Sequence, residues 1–171
     1  YNVDRIRDGK SFTTRRVVAV QKGRPIFSMS VSFQVAEAGL EHQIEMPKVP
    51  APEDCMNSQE MRADYLSDIP EEFRNRMTRP QPIEMRFTEP FNEFKPEKMA
   101  PTQSVWIKTA DAMPNDIRVN QCLLAYASDM TLIDTAARPH GISWTEGDFQ
   151  VASLDHAMWF HRPFKTDEWL L

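Results

Sequence analysis

Residues 114–137 read PNDIRVNQCLLAYASDMTLIDTAA, and the predicted fold depends on them. The stretch opens with a proline followed by Asn115 and Asp116, either of which can cap the start of a helix. Apolar residues then recur at helical spacing. The sequence RPHG at residues 138–141 follows, and proline and glycine both stop helices. We therefore predict one helix from Asp116 to about Ala137.

One acidic side chain interrupts an otherwise apolar stripe of this helix. At steps of three and four residues, Asp129 lies among small or apolar side chains, namely Cys122, Ala125, Leu132 and Ala136. A carboxylate in that position is expected to be partly desolvated, and desolvated carboxylates are candidates for function. Alternatively, Asp129 turns to solvent or binds a nearby backbone group.

Residues 149–160, FQVASLDHAMWF, predict a long apolar strand. Apolar side chains occupy both of its faces, so both are expected to be covered. Ser153 and His156 would point to opposite faces, which argues against a local Ser–His couple. His156 and His161 would also lie on opposite faces and could not share a metal ion. Each histidine is therefore predicted to make structural hydrogen bonds.

Other common sites are missing from the sequence. There is no G-x-S-x-G elbow, and the five glycines are too scattered for a phosphate-binding loop. Cys55 and Cys122 form no C-x-x-C pair, so no metal site is predicted. Two cysteines are also too few for a disulfide framework, which favours a reducing, intracellular setting.

Residues 1–35 predict a β-meander with turns at residues 8–10 and 22–23. Phe27, Met29, Val31 and Phe33 alternate with serines, as in a strand. The block holds seven basic and two acidic side chains, a net charge of +5. This charge belongs either to a solvated sheet edge or to an anion site for a phosphorylated cofactor.

The middle of the chain differs in composition. Nine of the 13 prolines fall within residues 47–101, and proline interrupts both helices and sheets. Residues 36–102 are therefore predicted to be a linker with one or two short helices, near residues 53–66 and 71–77. Residues 103–171 are predicted to be a second structural unit that holds a strand at 104–108, the helix, the strand at 149–160 and a further strand near Trp169.

The overall composition is that of a globular protein. Hydrophobic residues make up 41% of the 171 residues, and the net charge of −5 gives no basic footprint for nucleic acid. The longest charge-free stretch near the apolar centre of the chain, residues 119–128, is too short to span a membrane. Strand patterns reach both ends of the chain, and so we expect a fragment of a longer protein; the alternative is a complete small protein with ragged ends.

Several motifs resemble the acyl-CoA thioesterase II family. They are DRIRDGKSFTTRRV at residues 4–17, GRPIF at 23–27, SFQ at 32–34, YASD at 126–129, RPHG at 138–141 and SLDHAMWFHRPF at 153–164. The resemblance covers nearly the whole chain, and the last motif is long and specific. It is densest in residues 1–35 and 119–171.

The resemblance implies an α+β, hotdog-type fold with two units, in which an antiparallel sheet wraps around a long helix. It assigns residues 1–35 to the C-terminal strands of the first unit and residues 103–171 to the N-terminal part of the second. It also implies hydrolysis of fatty acyl-CoA to free fatty acid and CoA, no cofactor, and a homodimer or tetramer. The expected location is the cytoplasm, or the peroxisome in a eukaryote.

The family's catalytic set is an Asp on the helix, a Thr or Ser on a following strand and a Gln on a later strand, which together activate a water molecule. By motif, Asp129 is the Asp and Ser153 the hydroxyl residue, and the Gln would lie beyond Leu171. An alternative enzyme is a hydratase of the same fold, and such hydratases resemble one another in having a His five residues after the Asp. This chain has Asp134 at that position, which argues against a hydratase. The remaining alternative is a non-catalytic module that binds acyl-CoA or serves as a scaffold.

Overall fold

The predicted meander is present near the amino end of the chain. Its antiparallel strands are β1 (Asn2–Asp8), β2 (Phe12–Gln21) and β3 (Arg24–Gln34), in the order β1-β2-β3. The computed structural model describes residues 1–143 and 149–171, and it divides into two compact units, Tyr1–Met46 and Pro47–Leu171. The meander belongs to the first unit.

The hairpin between β2 and β3 turns at Lys22 and Gly23, which both have positive φ, 50° and 75°. Two such residues in succession form a tight turn whose twist matches that of the strands. The register opposes Val17 to Met29, and opposed residues point to the same side of a sheet. The alternation of β3 thus places its large apolar side chains on one face and its serines on the other.

The basic block of this unit lies mostly at the surface. Of its seven basic side chains, Arg15 is half-buried and the other six are exposed. The guanidinium of Arg15 donates to the carboxylate of Asp8 at 2.5 Å and to the carbonyl oxygens of Arg7 and Thr14. The edge and anion-site interpretations of this block both stay predictions.

The second unit contains an antiparallel sheet of β4 (Met56–Asn57), β5 (Ile83–Phe87) and β6 (Val105–Thr109), in that order. β6 was predicted from the sequence, whereas β5 lies within the segment predicted to be a linker. Prolines at residues 82 and 90 flank β5 without entering it. The many prolines of this segment therefore argued against a strand that does form. β5 itself contains no proline, so all five of its backbone amides can pair.

The expectation of a linker over residues 36–102 differs from the structure, because residues from Pro47 onward belong to the second compact unit. The two predicted short helices are present there as α1 (Ser58–Asp64) and α2 (Glu71–Thr78). Buried side chains of this segment form the main apolar cluster of the unit, consisting of Met61, Tyr65, Ile69, Phe87 and Phe94.

The long predicted helix is interrupted. It forms α3 (Ile117–Ser128), which is capped by Asp116, and then a short α4 (Leu132–Ala137). The interruption falls at residues 128–131, which read SDMT. The side chains of Ser128, Asp129 and Thr131 are of the kind that offer the backbone alternative hydrogen bonds. The hydroxyl of Ser128 donates to the carbonyl oxygen of Ala125 at 3.0 Å, and the amide of Met130 donates to that of Ala127 at 3.1 Å.

The RPHG sequence ends α4 as predicted, through a 3-10 turn over Arg138–His140. Gly141 closes the turn with φ +60°, a conformation that favours glycine. Arg138 is buried and donates to the carboxylate of Glu89 at 2.5 Å, while its carbonyl oxygen accepts from the amide of Met99. The motif therefore fastens the end of the helical region to the loop that precedes β6.

The prediction of a strand over residues 149–160 is wrong. The structure describes this whole segment, and it forms no hydrogen-bonded strand there. Its side chains are mostly exposed, so the expected cover on both faces is also missing. A period-two pattern describes side chains, but a strand needs a neighbour for its backbone groups. The strand expected near Trp169 is reduced to one bridge, between Ile107 and Leu170.

Candidate active site

The two residues predicted to be catalytic come together at the end of α3. Asp129 is the residue that ends this helix, and Ser153 approaches it from residues 149–161, a segment without regular secondary structure. The Ser153 hydroxyl donates to the Asp129 carboxylate, with Oγ 3.2 Å from Oδ1 and 3.5 Å from Oδ2. Residues 24 positions apart thus meet, although the strand expected to carry Ser153 is not formed.

The expected desolvation of Asp129 is wrong, because both Asp129 and Ser153 are exposed. The stripe of small and apolar residues predicted a continuous helix with Asp129 inside it. The helix instead ends at Ser128, and Asp129 follows as its C-terminal cap. The segment at residues 149–161 leaves this side chain exposed. Both groups are therefore accessible to water and to a ligand.

A second hydroxyl, which the sequence analysis did not single out, lies beside the first pair. Ser128 Oγ is 3.2 Å from His156 Nε2 and 3.8 Å from Met158 Sδ. This contact confirms the predicted hydrogen-bonding role of His156. The one signal for Ser128 in the sequence was its position directly before Asp129.

An open groove of about 500 Å³ adjoins this second pair. Its lining combines apolar and titratable side chains, namely Ser128, Leu132, Asp155, His156, Ala157, Met158, Trp159 and His161. Leu132 is 50% exposed and Trp159 is 73% exposed. The groove therefore presents apolar surface to solvent, and its lining includes Ser128, the residue directly before the candidate carboxylate Asp129.

Within the described residues, no three side chains of His, Cys, Asp or Glu come together as a metal site would require. Over the same residues, every helix is too short or too polar to cross a bilayer. Both cysteines are free, Cys55 being buried and Cys122 exposed.

Comparison with known proteins then identifies the chain's relatives. The profile of the family described as acyl-CoA thioesterase matches residues 73–171, more than half of the chain. The chain belongs to the acyl-CoA thioesterase family. A second profile, described as the acyl-CoA thioesterase N-terminal domain, matches residues 1–34 of this thioesterase family member.

Individual thioesterases resemble the chain over its whole length. Acyl-CoA thioesterase 2 of Haemophilus influenzae is 39% identical over 171 residues, and human acyl-coenzyme A thioesterase 8 is 37% identical over 179 residues. Each of these alignments covers 100% of the chain. The chain spans 60% of the bacterial relative and 56% of the human one.

The solved structures of this family share the fold. The acyl-CoA thioesterase II TesB2 from Mycobacterium marinum is 39% identical and superposes with a TM-score of 0.67, covering 98% of this chain and 57% of that one. A tesB protein from Mycobacterium avium subspecies paratuberculosis, at 24% identity, superposes equally well. This likeness confirms the predicted α+β, hotdog-type fold.

Proposed function

We propose that the protein containing this chain hydrolyses fatty acyl-CoA to free fatty acid and CoA. The observation that carries the proposal is the hydrogen bond between Ser153 Oγ and Asp129 Oδ1, 3.2 Å long, at an exposed helix end beside an apolar groove. Membership of the acyl-CoA thioesterase family supports the same reaction.

In the proposed mechanism, Asp129 is the general base. A water molecule hydrogen-bonded to its carboxylate attacks the thioester carbonyl carbon, and the carboxylate takes the water's proton. Ser153 donates to the carboxylate and can accept from the same water, which would orient the nucleophile. General base action of this kind typically contributes about 10²–10⁴-fold to the rate.

The tetrahedral intermediate then collapses by breaking its carbon–sulfur bond. The electron pair leaves with sulfur as the thiolate of CoA, and the acyl group remains with the oxygen from water as a fatty acid. Because a thiol has a pKa of about 8.5, the thiolate is a good leaving group and needs no strong acid beside it. Asp129 then passes the proton it took from water to the thiolate or to solvent, which restores the carboxylate.

A second candidate is a non-catalytic module that binds acyl-CoA. The exposure of Asp129 favours it, since the carboxylate is open to solvent and the site does not exclude water around it. The apolar lining of the groove suits an acyl chain in either case. The two candidates differ only in whether bound thioester is cleaved.

The deciding experiment measures thiol release from a series of acyl-CoA substrates, together with CoA binding. We expect turnover by the wild-type protein and a loss of about 10²–10⁴-fold in kcat for Asp129→Asn, with thermal unfolding unchanged. Asp111→Asn changes an exposed acid elsewhere and should keep full activity. Binding without turnover would support the module, and full turnover by Asp129→Asn would remove that residue from the chemistry.

The remaining properties follow from the same proposal. Residues 1–35 and residues 103–171 would be parts of two different hotdog units, and the protein would be a homodimer or tetramer, which sedimentation can measure. Two free cysteines suit a reducing compartment, so a cytoplasmic location is proposed, or a peroxisomal one in a eukaryote.

A further inference from the structure

Two side-chain hydrogen bonds join the end of α3 to residues 149–161, the segment that carries Ser153. One is the bond of Ser153 to Asp129, and the other is the contact of His156 Nε2 with Ser128 Oγ, 3.2 Å long. We infer that His156 is a positioning residue, which acts through Ser128 to hold Ser153 against Asp129. The inference rests on the proposed function insofar as this contact is needed for turnover.

The hydrogen-bond directions at Ser128 follow from its single hydroxyl proton. Its Oγ lies 3.0 Å from the carbonyl oxygen of Ala125 and 3.8 Å from the sulfur of Met158. A carbonyl oxygen is a much better acceptor than a thioether sulfur, so the proton goes to Ala125. The Ser128 oxygen then accepts from His156, and Nε2 must carry the hydrogen.

The direction of the hydrogen bond between His156 and Ser128 distinguishes a positioning role of His156 from a catalytic one. A histidine that activates a serine nucleophile must accept the serine's proton through an unprotonated ring nitrogen. Here the Nε2–H group of His156 faces the Ser128 oxygen, and so Ser128 is not activated. The Ser128–His156 pair is therefore a clamp and not a second nucleophile–base couple.

The clamp matters because little else holds the segment. In the described structure, residues 149–161 form no backbone ladder, and most of their side chains are exposed. Ser153 and His156 are three residues apart, a span of about 10 Å in an extended chain. Releasing His156 lets this stretch move away from α3 and carries Ser153 out of hydrogen-bond reach of Asp129.

A double-mutant cycle tests this coupling in the whole protein. We expect His156→Ala to lower kcat about 3- to 10-fold, the loss typical of one side-chain hydrogen bond, with KM changed by less than about 2-fold. Ser128→Ala should do the same, and the double variant should be no worse than either single one. His156→Gln keeps an N–H donor and should recover kcat to within about 2-fold of wild type. The control, His140→Ala, alters an exposed histidine on the RPHG turn and should leave kcat unchanged.

Losses that multiply in the double variant would overturn the inference, as would a rise in KM alone or a failure of glutamine to rescue. A further readout does not depend on turnover, since nitrogen NMR reports the imidazole tautomer. Hydrogen on Nε2 of His156 is expected, and hydrogen on Nδ1 alone would refute the clamp. If wild-type protein has no turnover, the proposed function fails. The inference is then decided by the tautomer and by whether Ser153 leaves Asp129 in a crystal structure of His156→Ala.

Discussion

Replacing Asn120 by alanine tests the contact that ties the C-terminal segment to α3. Asn120 is 2% exposed, and its carbonyl oxygen accepts from both the backbone amide and the hydroxyl of Thr166, each at 2.8 Å. Its amide nitrogen donates to the carbonyl oxygens of Asp116 at 2.9 Å and Pro114 at 3.3 Å. One buried side chain therefore joins the first turn of the helix to a segment 46 residues away.

The cost can be worked out from these partners. In Asn120→Ala, the amide of Thr166, which is 5% exposed, loses its acceptor, and an unsatisfied buried donor costs about 1–3 kcal/mol. The Thr166 hydroxyl can rotate, and the carbonyls of Pro114 and Asp116 keep other donors, so these three groups add less. With the lost packing, we expect a destabilisation of about 2–4 kcal/mol.

Urea denaturation followed by circular dichroism measures this change directly. Asn115→Ala is the matched control, because Asn115 is exposed in the loop before the same helix and should change stability by less than about 0.5 kcal/mol. If the two variants unfold at the same urea concentration, Asn120 does not anchor the segment and the reasoning fails. An unchanged m-value would show that the alanine variant loses stability and not compactness.

Three other predictions concern the backbone and the pH dependence. Gly141→Ala should cost about 1–3 kcal/mol, because Gly141 has φ +60° and an added Cβ would lie 3.2 Å from the carbonyl oxygen of Pro96. Burial raises the pKa of the Tyr65 hydroxyl above its ordinary value, so the unfolded chain loses that proton first and stability should fall as pH rises above about 10. Hydrogen bonds from Arg118 lower the pKa of Asp116 from 3.8 to about 2, so its contribution is present above the unfolded value and should be lost as pH falls from 3.8 toward 2.

Each of these has a simple control in stability measurements. Gly39→Ala adds a methyl group with nothing within 4 Å, and an equal cost at both glycines would refute the strain argument. Tyr65→Phe should remove part of the alkaline loss, and an unchanged alkaline curve would contradict the role of that hydroxyl. Asp116→Asn should flatten the acid limb, so an identical limb in that variant would assign it to other groups.

The sequence predicted those elements in which local pattern and tertiary environment agree. The alternation in β3 and the turn at Lys22 and Gly23 specify a hairpin through local rules alone, and the structure contains it. The N-cap at Asp116 and the stop at Gly141 were predictable for the same reason. Local signals are sufficient where the chain's nearest neighbours decide its conformation.

The prediction failed where distant partners decide the structure. β5 forms because β4 and β6 lie on either side of it. The sequence of residues 83–87, inside a proline-rich segment, does not reveal these two partners. Residues 149–160 have the side-chain pattern of a strand but no backbone ladder. Asn120 looks like an ordinary polar helix residue in the sequence, and only its hydrogen bond with Thr166 shows its structural role. The sequence therefore predicted side-chain patterns within a segment, but it did not predict which distant segments pair with one another.

The contact between the two candidate residues was predictable from the sequence, whereas their environment was not. The motif resemblance paired Asp129 with Ser153, and the structure places these two side chains in hydrogen-bond contact, with Ser128 and His156 beside them. The degree of burial was wrong because helical periodicity says nothing about where a helix ends. The interruption after Ser128 depends on competing side-chain hydrogen bonds, which the apolar stripe did not reveal.

The apolar cluster of the second unit has a consequence for the order of folding. Its buried members all lie between Met61 and Phe94, so short chain loops bring them together, and short loops close at low entropic cost. We expect this region to gain protection early in refolding, whereas the meeting of α3 with residues 149–161 waits for a later step. Pulsed hydrogen exchange would reveal that sequence of events, and simultaneous protection of both regions would contradict it.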